Sequence, residues 1–173
     1  MMPPARARLR KSDWLDLGLE SLASEGPDSL TVDRLCTRSG RTRGSFYHHF
    51  EDAEAYLDAL AHRWAQCSTD ELIARTPDSF STLRDLASRL DPVLELEMRR
   101  LAARKPGLQP IVETVDRQRV AHLAALHQRR SPAPGDAGVR AELDYAVYLG
   151  WLQLKASKPD LHLETLYRAL NSA

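Results

Sequence analysis

Apolar residues recur every three or four positions along nearly the whole chain, which is the spacing of one face of an α-helix. No segment alternates apolar and polar residues in the way a half-buried β-strand does. The pattern therefore predicts an all-α protein. Glycines, prolines and N-capping residues divide the chain into successive helices.

The N-terminal part is predicted to form four helices. Gly26 and Gly40 follow the first and second helices, and Thr31 and Thr42 cap the second and third. The predicted spans are Arg8–Ser24, Thr31–Ser39, Arg43–His49 and a fourth helix from about Asp52.

The remaining chain is predicted to be helical as well. Leucines at helical spacing cover residues 83–101, where Asp91-Pro92 is either a kink or the cap and first residue of a new helix. "KPGLQP" is predicted to be a linker and "RRSPAPGDAG" a loop. Two last helices are predicted over Val139–Ala156 and Asp160–Asn171.

Composition restricts the class of protein. A chain of 173 residues suits one domain, or two small ones sharing a core. No apolar run approaches the roughly 20 residues that span a bilayer, and no apolar segment follows the basic N-terminus as in a signal peptide. Cys36 and Cys67 lack paired spacing, so neither a disulfide nor a metal or cofactor site is predicted. We expect a cytoplasmic protein.

Positive charge is concentrated in one short stretch, although the formal net charge is zero. The sequence "RSGRTRGSFYHHF" continues a cluster of arginines, and no carboxylate lies between Arg34 and Phe50. The two short helices here, joined by a tight turn at Gly40-Arg41, predict a helix-turn-helix. Such a unit places its second helix in the major groove of DNA. A solvated helical face is the alternative interpretation of the charges alone.

The second of these helices has side chains suited to DNA. Arg43 can reach a phosphate or a guanine edge, Ser45 a base edge, and Tyr47 a phosphate oxygen. Gly44 has no side chain, so the helix can approach the groove closely. Phe46 and Phe50 lie on the opposite face and are predicted to be core. The predicted DNA-binding residues are Thr31, Arg41, Thr42, Arg43, Gly44, Ser45, Tyr47, His48 and His49.

Residues 8 to about 64 resemble the DNA-binding domain of the TetR family of transcriptional regulators. The matching segments are "LDLGLESLASEG", "SLTVDRLCTRSG", "RTRGSFYHHF" and "EDAEAYLDALAHRW". Arg41 and Ala53 depart from the family pattern, which commonly has a small apolar residue and a phosphate-binding lysine there. The basic arm before the first helix is a candidate to replace that lysine; it contains Arg6, Arg8, Arg10 and Lys11.

The resemblance implies a homodimer with an N-terminal helix-turn-helix domain over residues 1–64. Residues 65–173 would form a helical domain for dimerisation and for a small-molecule effector. Candidate pocket residues, which are equally consistent with core or interface, are Met98, Tyr145, Tyr148 and Trp151. A glycine at position 150 destabilises its helix by about 1 kcal/mol relative to alanine. Close approach of a partner helix would explain why a glycine is present there. The predicted interface residues are Val147, Gly150, Leu154, Leu166 and Leu170.

The predicted function is a small-molecule-responsive repressor that binds double-stranded operator DNA. The alternative is an architectural or co-regulatory DNA-binding dimer without an effector. No nucleophile, phosphate-binding loop or metal-ligand spacing indicates an enzyme. Four charged residues of the second region are interpreted as a solvated face rather than a polar ligand site: Glu95, Glu97, Arg99 and Arg100.

Overall fold

The structure, a computed structural model, describes residues 9–76, 78–130, 136–155 and 157–171. Regular secondary structure in these ranges is helical, as predicted. The helices are α1 Lys11–Glu25, α2 Val32–Ser39, α3 Arg43–Tyr47, α4 Ala53–Ala65, α5 Glu71–Arg75, α6 Phe80–Ser88, α7 Pro92–Arg104, α8 Gln109–Arg130, α9 Ala137–Lys155 and α10 Leu163–Asn171. Arg6 and Arg8 of the basic arm, Ala156 and residues 131–135 of the predicted loop lie outside the described residues.

Side-chain caps fix the start of both helices in the helix-turn-helix. The Thr31 hydroxyl accepts a hydrogen bond from the Arg34 amide, and the Thr42 hydroxyl accepts one from the Ser45 amide at 3.3 Å. Gly40 ends α2 with φ at 64°, a left-handed conformation that glycine adopts without strain. The predicted turn is therefore present, although α3 ends at Tyr47 rather than His49.

Aromatic packing places α3 against α1 and α4. The Phe46 ring is fully buried and meets the Trp14 ring edge-on, with centroids 5.4 Å apart. Phe50 is also buried, so the prediction that both phenylalanines are core is confirmed. Gly18 allows α4 to approach α1, because a methyl group there would lie 2.0 Å from the Tyr56 hydroxyl oxygen.

The helical path continues beyond the end of α4. A π-helical turn, Gln66–Asp70, joins α4 to α5 without a loop. Asp91 caps α7, its carboxylate accepting from the Val93 amide at 2.9 Å, and Pro92 is the first helical residue. Asp91-Pro92 therefore begins a new helix rather than kinking one.

Two clusters of buried side chains form the interior. The first is built by α1–α4 and also includes Met98 and Leu101 of α7 and Val115 of α8. The second lies among α5, α6, α8, α9 and α10. The helix-turn-helix thus shares its core with helices beyond residue 64. In the described part of the chain, no helix has the length and apolar content needed to cross a membrane.

Candidate DNA-binding face and ligand cavity

The exposed face of α3 carries most of the residues predicted to bind DNA. Thr42, Arg43, Gly44 and His48 are exposed, and Tyr47 retains 48% of its accessible surface. Because Phe46 is buried in the opposite direction, this face has a fixed orientation relative to α1 and α4. The structure therefore presents these residues together on one surface.

Acidic residues outside the basic stretch pair with its arginines. Arg43 makes a two-bond ion pair with Asp33 of α2, with its Nε 2.6 Å from Oδ1. The Glu25 carboxylate lies 2.6 Å from Arg38 and 3.9 Å from Arg34. The Arg43 guanidinium lowers the pKa of Asp33. Asp33 and Glu25 were not predicted as partners because both lie outside the carboxylate-free interval between Arg34 and Phe50.

The size of Gly44 is not required by the protein's own packing. A methyl group added there would meet Thr42 Oγ1 at 3.8 Å, an ordinary contact distance, as its nearest neighbour. This fits the prediction that Gly44 lets α3 approach DNA closely. Gly18 differs, because its small size is required for the packing of α1 against α4.

Three predicted DNA contacts are placed differently from those on the exposed face. His49 is half-buried, and its Nε2 lies 2.9 Å from the Leu9 carbonyl oxygen. Since a carbonyl only accepts, Nε2 carries the proton, and His49 anchors the chain preceding α1. Arg41 is half-buried in the turn, and exposed Thr31 caps α2.

The second cluster encloses a cavity of about 50 Å³. Its walls are mainly apolar and come from α5, α6, α8, α9 and α10. The lining residues are Leu72, Ile73, Leu83, Arg84, Ala87, Leu90, Arg119, His122, Leu123, Asp144, Tyr145, Tyr148, Leu163 and Tyr167.

The four predicted pocket residues divide between different places. Tyr145 and Tyr148 line the cavity. Trp151 lines an adjoining surface groove of about 370 Å³, and Met98 is fully buried in the first cluster. The structure therefore brings only the two tyrosines together at the cavity. Helical spacing could not separate these residues because all four lie on inward-facing positions.

A buried charged network crosses from the cavity wall to the π-helical turn. Arg119 of α8 contacts Glu95 Oε1 at 2.8 Å, and its Nε donates to the Thr69 hydroxyl at 2.9 Å. It also reaches the Ser68 hydroxyl at 3.2 Å, which in turn donates to the Trp64 carbonyl of α4. A chain of direct contacts thus runs from the cavity to the helix behind the helix-turn-helix.

Glu95 and Arg99 do not form the solvated face that sequence analysis expected. Glu95 is only 2% exposed, and Arg99 bridges it to Asp116 at 2.9 and 2.7 Å. Burial acts to raise the pKa of Glu95, but Arg119 and Arg99 outweigh it, so the pKa is lowered. The expectation was wrong because the partners come from α8, which is distant in sequence; Arg100, by contrast, is exposed.

Comparisons with known proteins agree with this architecture. Residues 15–60 match the family described as bacterial regulatory proteins, tetR family. Over 118 residues, the chain is 31% identical to an HTH-type transcriptional repressor of Mycobacterium tuberculosis, covering 67% of this chain and 61% of that protein. The chain thus spans about three fifths of the length of this curated relative.

Residues 15–60 form a domain similar to that of TetR-family regulators. The fold of the chain also matches a solved TetR/AcrR-family regulator, with a TM-score of 0.73, 22% identity and 94% of each chain covered. A regulator from Saccharomonospora viridis, solved in complex with choline, gives a TM-score of 0.71 at 13% identity, covering 94% of this chain and 93% of that one. The proteins that match are transcriptional regulators, in agreement with the prediction that the chain is not an enzyme.

The two residues that depart from the TetR-family pattern are Arg41, in the turn between α2 and α3, and Ala53, at the start of α4. Ala53 is the exposed first residue of α4, and Asp52 caps that helix by accepting from the Ala55 amide at 2.7 Å. Within the described part of the basic arm, Arg10 is exposed, whereas the Lys11 ammonium lies 5.4 Å from the Phe50 ring centroid. Both residues are exposed, and replacement of the missing lysine by this arm stays a prediction.

The predicted dimer residues lie on one exposed side of α9 and on α10. Gly150 is exposed, and a methyl group there would meet no atom of the chain within 4 Å. Leu154 is exposed, and Val147, Leu166 and Leu170 are half-buried. Val139 and Leu143 extend the same apolar stripe towards the start of α9.

Cys67 is placed in the π-helical turn, half-buried. Burial raises the pKa of its thiol, whereas a reactive cysteine generally has a lowered one. Cys36 is buried in the first cluster, in agreement with the packing role expected from its position.

Proposed function

We propose that the chain is a sequence-specific DNA-binding transcriptional regulator, acting as a homodimer and released from its operator by a small molecule. Residues 1–64 would bind DNA, and residues 65–173 would dimerise and bind the effector. The observation that carries this proposal is the exposed face of α3, oriented by buried Phe46, with Arg43, Gly44 and Tyr47 directed away from the core.

DNA binding would exchange partners at Arg43. The Asp33 pair is fully exposed, so water screens it and the guanidinium can leave it for a phosphate or a guanine edge. In the free protein, Asp33 and Glu25 restrain the arginines and reduce the positive charge of this face. We infer that these carboxylates favour specific over non-specific binding, because they weaken attraction to phosphate alone.

Dimerisation is supported by the stripe of Val139, Leu143, Gly150 and Leu154 on α9. Exposed apolar side chains in a continuous stripe generally mark an interface. Gly150 leaves space for the close approach of a partner helix, and Leu166 and Leu170 of α10 lie half-buried beside this region. To read successive major grooves, a dimer formed here would have to place its two α3 helices about 34 Å apart.

The effector response is supported by the cavity and by Arg119. A molecule entering the cavity would contact Arg119, whose guanidinium binds Ser68 and Thr69 in the π-helical turn. Displacement of this turn would move α4, and with it the helix-turn-helix. The complex of a structurally similar regulator with choline supports a small-molecule effector, although not its identity.

One observation favours an effector-independent regulator as a second candidate. The cavity measures about 50 Å³, whereas drug-sized ligands occupy pockets of about 300–1,000 Å³. A responsive protein must therefore enlarge this cavity on binding. Failure of every small molecule to bind in the second cluster would favour the effector-independent candidate.

Titration of DNA binding with salt tests the proposal. DNA flanking the chain's own gene and a scrambled DNA of equal length would be compared by fluorescence anisotropy at several salt concentrations. We expect site-selective binding that weakens steeply with salt. Arg43→Ala should reduce affinity tenfold or more, whereas Arg89→Ala, which removes an exposed ion-paired arginine directly after α6, should not. Equal affinity for both DNAs would contradict the proposal.

A further inference from the structure

Two neighbouring spaces share a wall in the second cluster. The cavity and the groove of about 370 Å³ are both lined by Arg84 and Leu163. Arg84 lies on α6 and Leu163 begins α10. A ligand that moves the Arg84 side chain could therefore occupy the apolar cavity while remaining in contact with the groove.

Arg84 is a mostly buried cation with incomplete pairing. Its side chain is 18% exposed, and its nearest carboxylate oxygen, Oε2 of Glu164, is 3.8 Å away. The guanidinium carbon lies 4.2 Å from the Tyr167 ring centroid and 5.6 Å from that of Phe80. Among the described residues, we find no hydrogen-bond acceptor for its five N–H groups.

The other arginine at the cavity differs in this respect. Arg119 makes hydrogen bonds to both oxygens of Glu95, to Ser68 and to Thr69, so its donors are occupied within the protein. A planar guanidinium with free donors matches a carboxylate in a two-bond geometry. Arg84 is consequently the cation at the cavity that can take an anionic group from a ligand.

A second polar group at the cavity also lacks a partner. Tyr148 is 6% exposed, and its hydroxyl is fully buried without a hydrogen bond. Burial raises the pKa of Tyr148, so the hydroxyl stays protonated and can donate. Since buried polar groups are nearly always hydrogen-bonded, this hydroxyl is a second donor at the cavity that a ligand can engage.

We propose that the effector is an organic monocarboxylate with a compact apolar body. The carboxylate binds the Arg84 guanidinium at the border of the groove, and the apolar body occupies the remainder of the cavity. This inference rests on the proposed function for its regulatory meaning, but the binding site itself depends only on the cavity, Arg84 and Tyr148.

The size of the cavity favours small acids as probes. An engineered cavity of about 150 Å³ holds benzene, so a space of about 50 Å³ suits short aliphatic chains before its walls must move. The probe panel consists of butanoate, hexanoate, octanoate and benzoate. Each acid is paired with the alcohol of the same carbon skeleton, which keeps the apolar body and removes the charge.

Calorimetric titration of the full chain with each pair tests the site without DNA. We expect at least one acid to bind on the order of tenfold more tightly than its alcohol, because charge-assisted two-bond pairing contributes only to the acid. Arg84→Gln should remove this preference and leave binding of the alcohol unchanged. Arg89→Gln, at the exposed residue directly after the same helix, is the matched control and should keep the preference.

Thermal unfolding of each variant verifies that it is folded. Should Arg84→Gln not fold, Arg84→Lys keeps the charge without the planar fork and should reduce the preference without abolishing it. An acid series that never binds better than its alcohols, or a preference unchanged in the Arg84 variants, would overturn the inference.

A DNA-release assay separates this inference from the proposed function. Acid binding that depends on Arg84 but leaves DNA binding intact would support the site and contradict the effector response. Specific DNA binding without any preference for acids would support the regulator and overturn the acid site.

Discussion

The two buried clusters of this chain differ in what they enclose. In the first, Trp14, Phe50 and Tyr56 surround the Phe46 ring with centroid distances of 5.1–5.4 Å. The second contains a cavity and an unpartnered Tyr148 hydroxyl, and the charged Glu95–Arg119 pair lies beside it. The first arrangement suits a surface that must keep one shape, and the second suits a region that changes when a ligand enters.

Buried polar atoms without hydrogen-bond partners do not by themselves distinguish the two clusters. The first cluster also has one, because the buried Trp14 Nε1 has no hydrogen-bond partner. The Trp14 ring, however, packs edge-on against Phe46, whereas Tyr148 lines a cavity that a ligand can fill. The lesson is that an orphan polar atom indicates a binding site only where there is space beside it.

The largest effect is expected from opening the first cluster. Phe46→Ala should lower the free energy of unfolding by about 3–5 kcal/mol, since it leaves a cavity among close-packed rings. Tyr47→Ala, one residue along and half exposed, should cost less than about 1 kcal/mol but weaken DNA binding. Chemical denaturation measures both. Similar costs would contradict the opposite orientations of the two side chains.

A somewhat smaller loss is expected from the charged network of the second cluster. Glu95→Gln should lower stability by about 3 kcal/mol, because Arg119 and Arg99 then remain buried without their shared carboxylate. Asp85→Asn, which breaks an exposed pair with Arg89, is the control and should change stability by less than about 1 kcal/mol. Equal effects in urea titrations would show that the network is not buried in solution.

The same network gives stability a defined pH dependence. The pKa values of Glu95 and Asp116 are lowered on folding, although burial alone would raise them. At Glu95, the charges of Arg119 and Arg99 outweigh the effect of burial. At Asp116, hydrogen bonds from Arg99 and Tyr145 do so. As the pH falls below about 5, the unfolded chain takes up protons first, so the native state loses stability. Glu95→Gln should therefore show a shallower loss between pH 5 and pH 3 than the wild type. An unchanged slope would contradict the lowered pKa of Glu95.

Two tyrosines three residues apart on α9 should respond with opposite signs. Tyr148→Phe removes a buried hydroxyl without a partner and should raise stability by about 1 kcal/mol. Tyr145→Phe removes a donor to Asp116 at 2.6 Å and an acceptor from Arg99, and should lower stability by about 1 kcal/mol. Thermal unfolding of both variants at one pH measures the difference. Destabilisation by both would mean that Tyr148 has a partner.

The smallest changes in stability are expected at two exposed glycines. Gly44→Ala and Gly150→Ala should each leave the fold intact and stabilise their helices by up to about 1 kcal/mol. Gly44→Ala should weaken only DNA binding, and Gly150→Ala only self-association, measured by anisotropy and by sedimentation. Gly18→Ala is the contrasting control, since its methyl group would collide with Tyr56. If Gly44→Ala left DNA affinity unchanged and Gly150→Ala left self-association unchanged, these glycines would no longer support a DNA-binding face and a dimer interface.

The helices and the helix-turn-helix were predictable from sequence because their signals are local. Capping by Thr31, Thr42 and Asp91, and the four-residue spacing of Phe46 and Phe50, act within one or two turns. Element ends were less accurate: the last helix begins at Leu163 rather than Asp160.

The interior of the second cluster was not predictable, because its contacts join residues distant in sequence. Glu95 meets Arg119 across two helices, and Arg84 meets Tyr167 from the far end of the chain. Met98 and Trp151 have the same helical periodicity as Tyr145 and Tyr148. No local signal therefore shows that Met98 belongs to the first cluster and that Trp151 lines the groove. The same limitation applies to Asp33, whose pairing with Arg43 depends on the angle of the turn.

Hydrogen exchange with and without DNA from the chain's own gene tests the central claim most directly. DNA should slow exchange in residues 31–50, with the largest change in the short helix α3, and leave α9 nearly unchanged. Protection confined to α9, or absent from residues 31–50 although DNA is bound, would contradict the assignment of DNA binding to the face formed by α2 and α3.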